Sequence, residues 1–261
     1  MAGIVYLIGA GPGDPGLFTL KAKSCLERSN VVIYDRLVSP EIMAFVPSHA
    51  QRIYVGKEAN NHTLPQAEID TLLVEKALQG LTVSRLKGGD PFVYGRGGEE
   101  AESLALRGIA FEIVPGISSV MAVPAYAGIP LTHRTLASGF HVVTGHECLH
   151  SSGTPWEVIA LSSQTLVILM GLGHLREISE KLIFHGRSSD TPVAVIQWGT
   201  TSKQEVVVGT LVNISRVAEE AHLQPPAVII VGDVVRLRDT LHWFEPVMEL
   251  SRATEECKHG R

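Results

Sequence analysis

Two glycine-rich loops hold the residues best suited to chemistry. The first, Gly9-Ala10-Gly11-Pro12-Gly13-Asp14-Pro15-Gly16, follows an apolar run at the start of the chain; the second, Lys87-Gly88-Gly89-Asp90-Pro91-Phe92-Val93-Tyr94-Gly95-Arg96-Gly97-Gly98-Glu99-Glu100, follows another. Glycine lets a ligand lie directly against backbone, and loops at strand carboxyl ends converge on the crevice where open α/β sheets bind their ligands. A plain solvent loop ahead of a helix leaves unexplained why Asp90, Arg96 and Glu99 are interleaved with glycines. No Gly-Lys-Ser/Thr follows, which excludes a triphosphate-binding loop. The first loop departs from a dinucleotide fingerprint: its third position is Asp14, and Pro12 and Pro15 lack the N–H that would cradle a pyrophosphate. Asp35, 26 residues after Gly9, still stands where a ribose-binding acid would. On these residues alone, NAD binding and a purely structural turn both stay open.

Composition narrows the class of partner. The chain has 261 residues, a formal net charge of −5 and 25 glycines. That balance argues against coating nucleic acid or an anionic membrane, both of which recruit basic excess. Cys25, Cys148 and Cys257 are odd in number and far apart, so neither a disulfide framework nor a zinc ribbon can be written from them. The eleven histidines are spread along the chain, and no metal site is expected. The apolar start has no basic residue before it and is too short for a signal peptide, and no stretch approaches the roughly 18 apolar residues of a membrane span. A cytoplasmic protein is the expectation.

The elements that must position these loops read as an α/β protein of two α/β/α units. Strands are expected at 4–8, 31–34, 52–55, 82–86 and 111–114, alternating with helices at 17–28, 65–78, 98–107 and 118–126, the last kinked or stopped early by Pro124. This alternation predicts a mostly parallel sheet covered on both faces. The polar, Pro/Gly-punctuated segment 128–139 breaks the pattern. Beyond it, strands are expected at 140–144, 165–170, 192–197, 205–208 and 227–231, with helices at 156–161, 174–185, 211–222 and 235–244. The short gap before 204–210 predicts an antiparallel pair, hence a mixed second sheet. The expected units are 1–133, a linker at 134–139, a second unit at 140–245 and a loose polar tail at 246–261, with the active site in the cleft between the units.

The segments GAGPGDPGLFTLKA, VVIYDRLVSPEI, YVGK, RLKGGDPFVYGRGGEE, PGISSV and GIPLTHR, with ILMG, WGT and PPAVIIVG further on, resemble the tetrapyrrole methylases. The resemblance runs in register over about residues 3 to 245, and within the family it is greatest to enzymes that methylate uroporphyrinogen III at C2 and C7 to give precorrin-2. It implies S-adenosylmethionine as methyl donor, a small-molecule tetrapyrrole substrate and a homodimer. A methylase acting on a later corrin, a protein or an RNA is the alternative within the family, and an NAD-binding oxidoreductase the alternative outside it. Carried over residue by residue, the resemblance puts the donor on Pro12, Gly88, Gly89, Asp90, Val93, Ser118, Ser119, Met170, Gly199 and Ala227. It makes Asp35 the proton acceptor and Lys57 the proton donor. Arg96 and Arg134 would take the substrate's carboxylates, with Glu99 facing pyrrole N–H groups or orienting an arginine, and Arg36 and His133 as weaker additions. Without the resemblance, Asp35 reads as a turn residue, Lys57 as a solvated charge, and Met170 and Ala227 as core.

Overall fold

The computed structural model describes residues 2–56, 64–145 and 155–246. Lys57 therefore lies outside the described residues, as do Cys148, Cys257 and most of the expected tail.

In the first half, β1 (Ile4–Gly9), α1 (Leu20–Glu27), β2 (Val31–Tyr34), α2 (Pro40–Met43), β3 (Gln51–Tyr54), α3 (Gln66–Leu78), β4 (Val83–Lys87), α4 (Gly97–Leu106), β5 (Ala110–Val114) and α5 (Ser119–Tyr126) follow one another. The five strands form one sheet in the order β3-β2-β4-β1-β5, every pairing parallel. In β1 and β2 the hydrophobicity is continuous because both faces are covered. In β1, Val5 and Leu7 pack towards Leu73, Ala77 and Leu104 of α3 and α4, whereas Tyr6 and Ile8 pack towards Ala22 and Leu26 of α1. Helix α1 begins three residues later than its apolar pattern predicts. Pro15–Leu17 forms a separate 3-10 turn, and the Thr19 hydroxyl accepts from Ala22 N, fixing the start.

The second half contains β6 (Phe140–Thr144), α6 (Trp156–Leu161), β7 (Thr165–Leu169), α7 (Leu175–Phe184), β8 (Pro192–Gln197), β9 (Glu205–Thr210), α8 (Ile214–Glu220), β10 (Ala227–Val231) and α9 (Arg238–Leu241). Its sheet runs β6-β7-β10-β8-β9 and is mixed: β6 and β7 are parallel, and the other pairings are antiparallel, including the expected β8–β9 pair.

Further differences from the sequence expectation include the short α2, which the pattern did not predict, and the end of the chain. Helix α5 does not stop at Pro124 but runs on to Tyr126, since a proline in the last turn of an eight-residue helix forfeits little of the backbone ladder. The helix expected at 235–244 is instead a 3-10 turn, Asp233–Leu237, and the four-residue α9; the chain then extends from His242. Tertiary contacts decide that ending, because residues 242–244 are drawn back onto α5.

Helix α5 also joins the halves. Its Val120 and Val123 share one apolar cluster with Val167, Leu169, Ala194, Ile196, Val228 and Ile230, the inner face of the second sheet. A helix that follows the first sheet in sequence thus packs on the second, which brings the first sheet's strand ends against the second sheet.

Candidate active site

Because β1 and β4 are neighbours, the two glycine loops leave the sheet side by side and pair. Gly11 N donates to Gly89 O at 3.1 Å, Gly89 N to Gly11 O at 2.7 Å, and Ala10 N to Lys87 O at 2.7 Å. Gly89 adopts φ +69°, and a Cβ placed on it would point into open space with only Ser119 N within 4 Å. Gly9 and Gly116 touch backbone to backbone: a Cβ on Gly9 would stand 2.5 Å from Gly116 N. Only glycine permits that approach.

The paired loops form one wall of a cleft of about 1060 Å³, and the second sheet forms the other. All ten positions of the expected donor site line it: Pro12, Gly88, Gly89, Asp90, Val93, Ser118, Ser119, Met170, Gly199 and Ala227. Asp35, Arg36 and Arg96 line it too. Asp90 acts as a staple. Its Oδ1 accepts from Phe92 N at 2.8 Å and Val93 N at 3.2 Å, and its Oδ2 accepts from Gly116 N at 3.1 Å, tying the second loop to the start of α5. Ser118 caps α5 through its hydroxyl. Met170 and Val93 are 52% and 40% exposed, leaving apolar surface turned to the cleft with no partner of its own.

Arg96 begins α4 in the left-handed conformation at φ 59°, and its guanidinium grips Glu99 with two bonds, one of 2.8 Å. That pairing holds the Glu99 carboxyl below its usual range. Arg96 thus faces the cleft, while Glu99 stands behind it as its orienting partner. Arg134 is placed elsewhere: with His133 it lines a separate hollow of about 290 Å³.

The sequence reading missed a buried charge cluster at the carboxyl end of β4. Arg85 and Lys87 both line the cleft yet are only 4% exposed, and Glu100 of α4 behind them is fully buried. Glu100 Oε1 accepts from Arg85 Nε at 3.0 Å and Lys87 Nζ at 2.9 Å, and Arg85 Nη2 reaches Asp35 Oδ2 at 3.5 Å. Burial, then the neighbouring Arg85, pulls the Lys87 ammonium below its ordinary value, against the opposing pull of Glu100. The available signal was two charges at alternate positions of a strand otherwise made of Val83, Ser84 and Leu86, which puts both on one covered face.

Backbone strain gathers at the same place. Tyr94, Arg96, Met170, Trp198 and Thr200 all have φ between 46° and 70°, and all line the cleft; among the described non-glycine residues only His222 shares that conformation elsewhere. Such conformations persist where surrounding structure dictates them, typically at functional sites.

A parallel sheet and a mixed sheet enclosing a cleft, with paired glycine loops on one wall and an apolar surface on the other, define a two-unit α/β ligand-binding fold unlike a doubly wound nucleotide-binding fold. Comparison with known proteins gives the family. The model of the tetrapyrrole (corrin/porphyrin) methylases matches residues 4–215, and the chain belongs to that family. It is 53% identical over 241 residues to an S-adenosyl-L-methionine-dependent uroporphyrinogen III methyltransferase of Methanosarcina barkeri, covering 92% of this chain and 94% of that one. It is 51% identical over 247 residues to a siroheme synthase of Pseudomonas aeruginosa and 50% identical over 261 residues to a uroporphyrinogen-III C-methyltransferase of Bacillus subtilis. The chain spans about half the length of those two relatives, 53% and 54%. Among solved structures, the uroporphyrin-III C-methyltransferase of Thermus thermophilus complexed with S-adenosyl homocysteine superposes with a TM-score of 0.76 at 41% identity, covering 90% of this chain and 94% of that one.

Proposed function

We propose that the chain transfers methyl groups from S-adenosylmethionine to C2 and C7 of uroporphyrinogen III, giving precorrin-2, and that it works as a homodimer. The observation that carries this reading is the gathering of all ten expected donor-site residues, drawn from both halves of the chain, around one cleft. The residues fit such a donor: the open space before Gly89 admits a ligand against backbone, and Met170, Val93 and Ala227 offer an apolar seat.

The donor supplies a methyl group on a sulfonium, whose C–S bond breaks with its electron pair left on sulfur. Holding donor and acceptor carbon in line at near-attack distance is worth roughly 7 to 11 kcal/mol, and two walls from separate sheets are suited to it. Methylation at a ring carbon requires a proton to leave the macrocycle. Asp35 is the proposed acceptor: Leu37 N at 3.1 Å and Arg85 hold its carboxylate at the cleft surface. Lys57 keeps the role of proton donor from the resemblance. The substrate's carboxylates are assigned to Arg96 and Arg36, both on the cleft. The resemblance gives Arg134 the same role, and its place on the separate hollow makes it the weaker of the assigned arginines. Early in such a pathway the product serves the synthesis of sirohaem, cobalamin or haem d1.

The test is mass spectrometry of the product from uroporphyrinogen III and S-adenosylmethionine. A gain of two methyl groups is expected; one or three overturns the precorrin-2 assignment. Calorimetry with S-adenosylhomocysteine and with NADH checks the donor, and binding of NADH without the thioether overturns the methylase reading.

A further inference from the structure

The family match ends at residue 215, yet Phe244 and Glu245 line the cleft. They arrive there because the chain after α9 turns back across the molecule. Arg238 donates to Ala127 O, Trp243 Nε1 donates to Ala125 O at 2.9 Å, and a Cβ on Gly128 would stand 2.6 Å from the His242 backbone. The rings of Trp243 and Phe244 then enclose Tyr126, with centroids 5.0 and 4.9 Å from its own.

Tyr126 in turn reaches the first glycine loop. Its hydroxyl donates to Asp14 Oδ2 at 2.6 Å, while Asp14 Oδ1 accepts from Gly16 N at 2.7 Å and Asp14 N donates to the Thr200 hydroxyl at 3.2 Å. A Cβ on Gly13 would stand 2.6 Å from the Thr201 methyl, so the loop also rests directly on the β8–β9 connection. Pro12 and Gly199, the proposed donor residues at this end, flank these contacts.

We infer that 242–246 is a strap that sets the first glycine loop against the second sheet, and that Phe244 and Tyr126 are positioning residues for the methyl donor. The inference rests on the donor reading above and adds to it a segment outside the family match. The tyrosine ring is half-buried and wedged between two aromatic rings, so its hydroxyl has one aim, and that aim is the Asp14 carboxylate. Removing the hydroxyl frees Asp14 to turn to solvent; removing the Phe244 ring frees Tyr126. In both cases the loop loses the geometry the donor requires, while the first sheet's charged wall, where the tetrapyrrole is assigned, is untouched.

The experiment measures the affinity of the full chain and its Tyr126→Phe, Phe244→Ala and Phe244→Tyr variants for S-adenosylhomocysteine by calorimetry, with circular dichroism showing that each is folded at the working temperature. Tyr126→Phe removes one oxygen atom and keeps the ring stack, so it guards against a variant that fails to fold. The expected result is roughly tenfold weaker binding for Tyr126→Phe and Phe244→Ala, the scale of one lost hydrogen bond to a charged group. Phe244→Tyr restores the affinity, and in steady-state assays KM rises for S-adenosylmethionine but not for the tetrapyrrole. If Tyr126→Phe or Phe244→Ala binds the thioether as the parent does, or if both KM values rise equally, the strap has no role in placing the donor. If the parent chain itself fails to bind the thioether, the donor reading falls first, and the two failures are told apart.

Discussion

The two walls of the cleft are built on opposite principles. On the first sheet's wall, Arg85 and Lys87 sit nearly buried over the fully buried Glu100, with Asp35 at their edge. On the second sheet's wall, Leu169, Met170, Ile196, Ala227 and Val228 line the cleft with the hydroxyls of Thr200, Thr201 and Ser202. Arg187, the one buried charged residue of the second half among those described, stands off the cleft and donates to the carbonyls of Ile159 and Gln164. A buried ionic cluster carries a large desolvation cost and is retained here beside the carboxylate assigned to proton transfer. Apart from Lys203 this wall is uncharged, which suits recognition of a flat apolar group. The difference teaches that the first wall concentrates buried charge beside Asp35, whereas the second sheet adds a mostly apolar surface facing the glycine loops.

Breaking the charged wall is expected to have the largest effect. Glu100→Ala leaves two cations buried with their shared carboxylate gone and is expected to cost about 3 to 5 kcal/mol of stability, read by urea denaturation. A loss below about 1 kcal/mol would mean the cluster is well solvated and the contrast between walls is false. Next, Arg96→Ala removes an exposed residue whose ion pair with Glu99 contributes about 1 kcal/mol or less. Stability should hardly change, while KM for the tetrapyrrole rises roughly tenfold or more, as for a lost bidentate carboxylate contact. Arg134→Ala should raise it less, and the reverse order would move the substrate to the other hollow.

A subtler effect concerns Lys87. Its folded value lies below 10.5, so between that value and 10.5 the unfolded chain binds more protons than the folded one, and stability contributed through this group rises with pH. At lower pH the cost of burying the ammonium is present in full. In Lys87→Met that slope should vanish, so wild type should gain on the variant as pH climbs towards 10.5; a gap that stays constant on the approach to 10.5 would sink the assignment. The smallest effect on stability is expected on the second sheet's wall. Met170→Ala, half exposed, should shift unfolding by about 1 kcal/mol or less, yet weaken S-adenosylhomocysteine binding, measured by calorimetry.

Much of this could be read in the residues. The β-branched runs and intervening turns gave the order of elements, and the uninterrupted hydrophobicity of β1 and β2 required a sheet covered on both faces. Both glycine loops stood out because their residue types suit nothing but tight turns and close approach. Less legible were Arg85 and Lys87: strand charges in a parallel sheet are invisible as a cluster until α4 brings Glu100 over them. The Thr200 hydroxyl and the Tyr126 ring gave no local signal, since their partner Asp14 lies 186 and 112 positions away.

What the amino-acid sequence determined by itself was therefore local: strand periods, turns that demand glycine, and an acidic total charge that still leaves Arg36 and Arg96 for the proposed polyanionic substrate. The tertiary structure decided what faces what. It turned α5 onto the second sheet, drew residues 242–244 off their expected helical path onto Tyr126, and held five non-glycine residues at positive φ around one cleft. The reason is energetic range. Propensities and turns act over a few residues and contribute fractions of a kcal/mol to about one each, whereas burial of apolar faces and pairing of desolvated charges contribute several and depend on neighbours that only the folded chain supplies.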